Sequence, residues 1–295
     1  MYPLDFRYEK LSVAWLSSWE EYKEWKAATD CSPRRALENK ILENYISSDF
    51  PFTFVEGSCA FCKTLSNFLL DDVFGYGHRE ESDFIPNWRE RLICSRCNLN
   101  NRLRMVYSIL DVFPNQLDTW ITEQNTTFFR SLSQRFTHLI GSEQLGENWV
   151  SGQYNDQGLR HERIAATSFA DSSLSCVITL DALEHVEKTH DALLEIFRVL
   201  KPGGTLLATF AFDRESPINF EMAQKNEDGT HTYFAPPVFR ENPAQDEQIL
   251  CFRNFGWQVL ADLKECGFID AKIGLMWSRE LANLGPEQTL LIAKK

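Results

Sequence analysis

A chain of 295 residues can bury one substantial core plus a small accessory module. A hydrophobic share of 43% and a charged share of 24% exclude a disordered chain, and a net charge of −12 argues against a protein that works by gripping nucleic-acid phosphates. No stretch reaches the roughly 18–20 uninterrupted apolar residues of a membrane span. The opening MYPLDFRYEK lacks the basic start and apolar run of a secretory signal. Eight cysteines in that setting point to a reducing, cytoplasmic compartment where thiols bind metal or stay free. Arg89, Arg91, Arg96, Arg102 and Arg104 form the one dense basic stretch, and their loose spacing suits solvated or anion-holding roles.

In chain order, residues 1–50 read as helical. Trp15, Trp19, Tyr22 and Trp25 recur at helical spacing as core aromatics. Ser32-Pro33 caps a second helix bearing Leu37, Ile41 and Tyr45. Residues 51–105 change character: two cysteine pairs are separated by turn-forming and charged residues with little periodic pattern. From 106 to 295 short apolar strands alternate with amphipathic helices. Strands are predicted at 119–122, 138–140, 158–164, 175–180, 205–210 and 288–293, and helices at 126–136, 191–200 and 257–266. Lys201-Pro202-Gly203-Gly204 is read as a helix stop. This alternation implies an α/β fold with a doubly wound, largely parallel sheet.

Cys59-x-x-Cys62 and Cys94-x-x-Cys97 carry the strongest signal. Two intervening residues let both thiolates of a pair reach one tetrahedral ion, and two pairs complete four sulfur ligands with no open position. That is a structural zinc site. The long separation between the pairs requires a loop, for which Gly75, Gly77 and the acidic Glu80, Glu81 and Asp83 are suited. Cys31, Cys176, Cys251 and Cys266 read as packing thiols.

A doubly wound sheet binds its ligand beyond the carboxyl ends of the strands, where strand order reverses. The residues to read there are Glu123-Gln124-Asn125-Thr126, Ser142-Glu143, Glu162-Arg163-Ile164, and Asp181 through His185. A carboxylate can take both hydrogen bonds of a ribose diol and offset a nearby cation. The start of the 126–136 helix offers amide N–H groups to an anion.

The segment from Ser168 to Thr209, with Leu183-Glu184-His185-Val186 after one strand and Arg198-Val199-Leu200-Lys201-Pro202-Gly203-Gly204 before the next, resembles class I S-adenosylmethionine-dependent methyltransferases, and the likeness extends from about Asp118 to Lys295. It implies a Rossmann-like methyltransferase sheet, S-adenosylmethionine as cofactor, and a cofactor site including Glu123, Gln124, Ser142, Glu143, Glu162, Arg163, Ile164 and Asp181. Glu143 stands for the acidic residue that holds the ribose hydroxyls. The cysteine pairs followed by Asn101-Arg102-Leu103-Arg104 resemble a subgroup with an N-terminal zinc-binding module, found among enzymes that modify glycans and natural products.

The chain departs from the family pattern in three places. ITEQNTTF has no glycine where a glycine-rich turn is expected, Arg163 stands where aspartate is common, and Leu174-Ser175 replaces Phe-Asp. The first departure leaves Arg102 or Arg104 to hold the cofactor's carboxylate. Candidate bases are His185, His231 and Tyr233, the last two in the insertion where such enzymes form an acceptor pocket for a small molecule or sugar. A nicotinamide-dependent oxidoreductase would need Gly-x-Gly-x-x-Gly after the first strand, and that is absent. A catalytically silent, cofactor-binding or zinc-mediated interaction protein is the rival from another class.

Overall fold

The computed structural model describes residues 11–48, 50–77, 84–241 and 248–295. Glu80, Glu81 and Asp83 of the expected acidic loop lie outside these residues. The chain divides into two compact units. One takes the described parts of 1–16, 20–113 and 274–289, and the other 17–19, 114–273 and 290–295.

The first unit begins with strand β1 (Ser12–Leu16), followed by helices α1 (Trp19–Ala28) and α2 (Ser32–Ile46). Trp15 therefore lies on a strand, not on the helix its spacing suggested. Gly274 makes room for its ring, since a Cβ there would sit 2.7 Å from Trp15. Helix α2 has Pro33 in its first turn as expected. Ser32 is itself helical rather than a cap, and its amide donates to Asp30.

The cysteine region holds more order than its composition suggests. Strands β2 (Phe52–Cys59) and β3 (Thr64–Asp71) form a full antiparallel hairpin, joined by the short β4 (Ile93–Cys94). Along β2 the side chains alternate, Val55 and Cys59 inward and Phe54 and Glu56 outward, the period-two pattern of a half-buried strand. Val55, Phe68, Leu70, Trp88 and Leu92 pack with Ala282 and Leu284 into one core.

Helix α3 (Asn101–Leu110) is capped by Asn100, whose side chain accepts from the Leu103 amide. Arg104 on this helix is fully buried. Its guanidinium donates to the carbonyls of Leu92, Leu281 and Ala282 and lies 4.0 Å from the Phe68 ring centre. Burial pulls its pKa down to about 10, which leaves it charged at neutral pH. Three other arginines of this stretch are paired, Arg91 with Asp71 and both Arg89 and Arg102 with Glu90.

In the second unit β5 (Thr119–Ile121), β6 (Leu139–Gly141), β7 (Leu174–Leu180) and β8 (Leu200–Thr209) run parallel, with α4 (Thr127–Ser133) and α5 (Thr189–Val199) as crossovers. Strand β7 is apolar and buried on nearly every residue, as a strand covered on both faces must be. The Lys201–Gly204 stretch does not merely stop a helix. It lies within β8 as an irregularity, where pairing jumps from Leu174–Leu200 to Cys176–Thr205, and Gly203 takes a left-handed φ of 77°.

Three two-stranded ribbons follow: β9 (Phe220–Glu221) with β14 (Arg253–Asn254), β10 (Ala223–Lys225) with β11 (His231–Tyr233), and β12 (Phe239–Glu241) with β13 (Gln248–Leu250). Helix α6 (Val259–Glu265) leads to β15 (Asp270–Ser278) and β16 (Asn283–Lys294).

The main sheet has seven strands in the order β1-β15-β16-β8-β7-β5-β6, with β16 antiparallel to β8. This is the α/β architecture that the alternation implied, with the Rossmann-like sheet that the resemblance implied. One expected member is missing: 158–164 forms no strand and touches β6's extension through a single parallel bridge, Glu143–His161. Seven strands are reached instead through β1 on the opposite edge.

The carbonyls around Arg104 supply the test of the first unit. Arg104→Met would keep volume but leave three buried acceptors without donors, and stability should fall by roughly 3–5 kcal/mol. A change under about 1 kcal/mol in urea unfolding would show that those bonds are dispensable.

Candidate functional site

In chain order β5 and β6 lie to one side and β7 and β8 to the other, so strand order reverses between β5 and β7. The segments leaving these strands form the crevice in which an open α/β sheet holds its ligand. Three of them contribute: the turn Thr122–Thr126 after β5, Ser142-Glu143 after β6, and Asp181–His185 after β7.

Glu143 organises the first two. Its side chain is almost fully buried, and Oε1 accepts from the backbone amides of Gln124 and Asn125, each at 2.7 Å. The remaining oxygen, Oε2, has no hydrogen bond among the described residues. Glu143's own amide donates to the Arg160 carbonyl, and its carbonyl accepts from Glu162. The turn is further pinned by Gln124, whose Oε1 accepts from the Arg160 amide and whose Nε2 donates to the Gly158 carbonyl. Glu123 accepts from the Thr126 hydroxyl, and Thr126 caps α4 by accepting from the Phe129 amide.

The absent glycine-rich turn has two local substitutes. A carboxylate takes up the amides that a tight turn would leave exposed, and the glycine sits on the neighbouring strand. A Cβ on Gly141 would lie 2.5 Å from the Phe129 ring and 2.8 Å from the Glu123 carbonyl, so the turn approaches β6 only because residue 141 has no side chain. Sequence reasoning missed Gly141, although Gly141-Ser142-Glu143 at a strand end was a legible signal.

Other expected site residues have different work. The Ser142 hydroxyl is buried and accepts from Trp120 Nε1 at 2.9 Å. Both oxygens of buried Glu162 are committed within the protein: Oε1 to Arg160 and the Ser168 hydroxyl, Oε2 to the Ser168 amide. The Arg163 guanidinium donates to the Glu147 carbonyl, and Ile164 is half-buried. At the start of α4 the Phe129 amide is taken by the Thr126 side chain, while the amides that Glu143 takes belong to the preceding turn, at Gln124 and Asn125. Arg104 is locked on three carbonyls and Arg102 on Glu90, which removes both from the role of holding a cofactor carboxylate.

Asp181 ends β7 with a left-handed φ of 51°, rare for a residue with a side chain, and its Oδ1 accepts from the Thr209 hydroxyl at 2.8 Å. His185 closes the short 3₁₀ turn Leu183–His185, its Nδ1 2.9 Å from the Leu250 carbonyl. Burial pushes its pKa below the ordinary imidazole value, so the ring is neutral at pH 7. Nδ1–H then faces the carbonyl and Nε2 keeps its lone pair. Because its folded pKa is depressed, the stability linked to His185 is present above about pH 6.5 and is lost as pH falls below that.

His231 and Tyr233 lie exposed on β11, with the His231 ring 5.9 Å from that of Phe252. The Phe252 amide donates to the Glu184 carbonyl, which ties this ribbon to the turn bearing His185.

In the first unit the four expected cysteines converge. Their sulfurs lie within 4.8 Å of one another, with Cys59 to Cys97 at 3.7 Å and Cys62 to Cys94 at 3.9 Å. A disulfide would need about 2.05 Å. Tetrahedral zinc with bonds of about 2.3 Å holds its sulfurs about 3.8 Å apart. The two knuckles repeat one geometry: the amides of Lys63 and Asn98 donate back to the carbonyls of Cys59 and Cys94, and both residues adopt left-handed φ values of 56° and 59°. The donor set and its spacing fit zinc.

Residues 126–208 match the family described as the methyltransferase domain. The matched segment runs from α4 through β8 and includes Glu143 and Asp181. A probable S-adenosylmethionine-dependent methyltransferase of Mycolicibacterium smegmatis is 32% identical over 76 residues, 24% of this chain and 30% of that protein. The match thus spans less than a third of that relative's length. Among solved structures, an S-adenosylmethionine-dependent methyltransferase from Mesorhizobium loti aligns over 65% of this chain and 95% of its own, at 15% identity and a TM-score of 0.41. A possible histamine N-methyltransferase from Thermotoga maritima aligns over 66% and 88%, at 15% identity and a TM-score of 0.39.

The crevice depends on the close approach at residue 141, and Gly141→Ala tests it. The added methyl should displace the β5–α4 turn and cost about 1–3 kcal/mol in urea unfolding. Unchanged stability would mean that the turn sits there without that constraint.

Proposed function

We propose that the chain is a methyltransferase that uses S-adenosylmethionine, with Glu143 holding the cofactor's ribose. The observation that carries this reading is the state of Glu143: a buried carboxylate at the strand-order reversal, one oxygen fixed by two backbone amides and the other uncommitted. A carboxylate already oriented in this way is suited to accept from a vicinal diol without reordering. The match of residues 126–208 to the methyltransferase domain supports the same conclusion.

The cofactor, when bound, supplies a methyl group activated by sulfonium. In this reading Glu123 and Gln124 shape the crevice wall, and Asp181 faces the reacting end from β7. Ser142, Glu162 and Arg163 support the wall from behind. His185, neutral and held through Nδ1, would take the acceptor's proton at Nε2, with His231 and Tyr233 approaching from the ribbon. The acceptor in this reading is a small molecule or sugar, in natural-product or polysaccharide biosynthesis, by the resemblance of the cysteine-bearing region to a subgroup of such enzymes. Among the described residues no helix is long and apolar enough to cross a membrane, and a cytoplasmic setting is part of the proposal.

The amides of Gln124 and Asn125 favour one rival, a chain that keeps the fold without turnover, because Glu143 already occupies donors that a cofactor could use. Titration tests the binding of the cofactor, and methyl transfer to an acceptor separates the enzyme from a silent binder. S-adenosylhomocysteine should bind the wild-type chain in calorimetry. Glu143→Gln, which keeps the shape but loses the charge, should weaken it by about 10–100-fold, as expected for a charge-assisted hydrogen bond. Binding that survives intact in Glu143→Gln would remove Glu143 from the site, and no binding at all would end the proposal.

Cys59, Cys62, Cys94 and Cys97 are proposed to hold one structural zinc ion. Atomic emission should find about one zinc per chain, and Cys94→Ser should lose it together with stability. A metal-free chain of undiminished melting temperature would contradict this.

A further inference from the structure

The second unit contains a cavity that none of the residues discussed so far lines. It has a volume of about 330 Å³ and lies between the start of α5, the β9–β14 ribbon and the start of α6. That volume is at the lower end for small-molecule sites and suits a single ring-sized ligand. Most of the side chains that line it are polar (His190, Asn219, Glu221, Arg253, Gln258 and Asp262), while its surface is divided about equally between polar and apolar atoms, the mixed character that a sugar ring presents.

We propose that this cavity is a subsite for a neutral, polyhydroxylated ligand, a sugar ring or a cyclitol, and that it holds the body of the methyl acceptor. The charges decide the class. Arg253 opposes a cationic ligand. Glu221 and Asp262 oppose an anionic one, and a phosphate would meet two carboxylates beside one guanidinium. The lack of an aromatic floor disfavours a flat apolar ring. A ligand whose groups both donate and accept matches what remains.

The hydrogen bonds in the wall leave both acceptors and donors available. Asn219 is fixed on both ends of its amide: Oδ1 accepts from the Gly256 backbone, and Nδ2 donates to Asp262 Oδ2 at 2.7 Å. This orients Asp262 and leaves its Oδ1 as an acceptor. The Asn219 backbone donates to Gln258 Oε1, which leaves the Gln258 NH₂ as a donor. Arg253 gives one nitrogen to the Glu187 carbonyl and lies 3.9 Å from Glu221, keeping a further edge of the guanidinium for a ligand. Hydroxyls can bridge such a sequence of acceptor, donor and donor, each accepting from one group and donating to the next.

The position also suits the assignment. The cavity begins at Thr189, four residues after His185. Its Arg253 follows directly on the Leu250–Phe252 stretch, which bonds His185 and Glu184. Calling the ligand the methyl acceptor rests on the methyl-transfer reading; the binding of a polyol does not.

The test is titration of the full chain with neutral probes, methyl glucoside, methyl galactoside and myo-inositol, followed by saturation-transfer NMR. Glucosamine and glucuronate serve as charged counterparts. At least one neutral probe should bind more tightly than both charged ones. Its affinity should fall about tenfold in Gln258→Ala and in Glu221→Ala, two residues at the open side of the cavity, as loss of a direct hydrogen bond predicts. Both variants should keep the wild-type melting temperature and the wild-type affinity for S-adenosylhomocysteine. Absence of binding by every neutral probe, tighter binding of a charged one, or unchanged affinity in both variants overturns the proposal. Polyol binding by a chain that does not bind S-adenosylhomocysteine would leave the subsite standing and remove only the methyl-transfer reading.

Discussion

A single carboxylate holds the crevice together. Buried groups must have partners, and an ionised buried group needs them most. Glu143 meets this demand by taking two backbone amides from the turn after β5. The same bonds give that turn its shape without a glycine of its own. Gly141 on β6 then permits the approach that a side chain would block. Gln124 extends the network to residues 158–160, so hydrogen bonds join three separate segments. Removing the charge at residue 143 would leave two amides and a loop without their anchor, and a ligand diol without its acceptor.

The first unit solves a different problem. Its core is small and contains a fully buried arginine, an expensive group to remove from water. Arg104 is tolerated because three carbonyls and an aromatic face surround it. Four cysteines converge a few residues from the same core. Four thiolates and one zinc ion carry a net negative charge, which the Arg104 cation would offset. With zinc bound as proposed, the four thiolates and the arginine would form a compensating pair of charges.

Much of this was legible in the residues. The cysteine spacing located the metal-type cluster, because two-residue gaps constrain the backbone locally. The apolar runs at 175–180 and 205–210 were recognisable as strands buried on both faces. Glu143 stood out as an acidic residue after a short strand. Other features depend on partners distant in sequence and left no local mark. Trp15 has helical spacing with its neighbours, yet a strand pairing claims it. The segment 158–164 has strand-like composition but is held by a single parallel bridge at Glu143 and by side-chain bonds to Gln124 and Ser168, rather than by a full ladder. Ser142 and Glu162 looked available for a ligand because their partners Trp120, Arg160 and Ser168 could be identified only in three dimensions. The β2–β3 hairpin was missed for a simpler reason: its alternation was present in FTFVEGSC, but the cysteines drew the reading toward loops.

The most direct measurement is a crystal structure of the chain with S-adenosylhomocysteine. The ribose hydroxyls should lie within about 2.7–3.2 Å of the uncommitted oxygen of Glu143, while its partner oxygen keeps both amides of the β5–α4 turn. A ligand bound elsewhere, or a Glu143 side chain that abandons those amides to admit it, would contradict the view that one carboxylate builds the crevice and fills its binding role together.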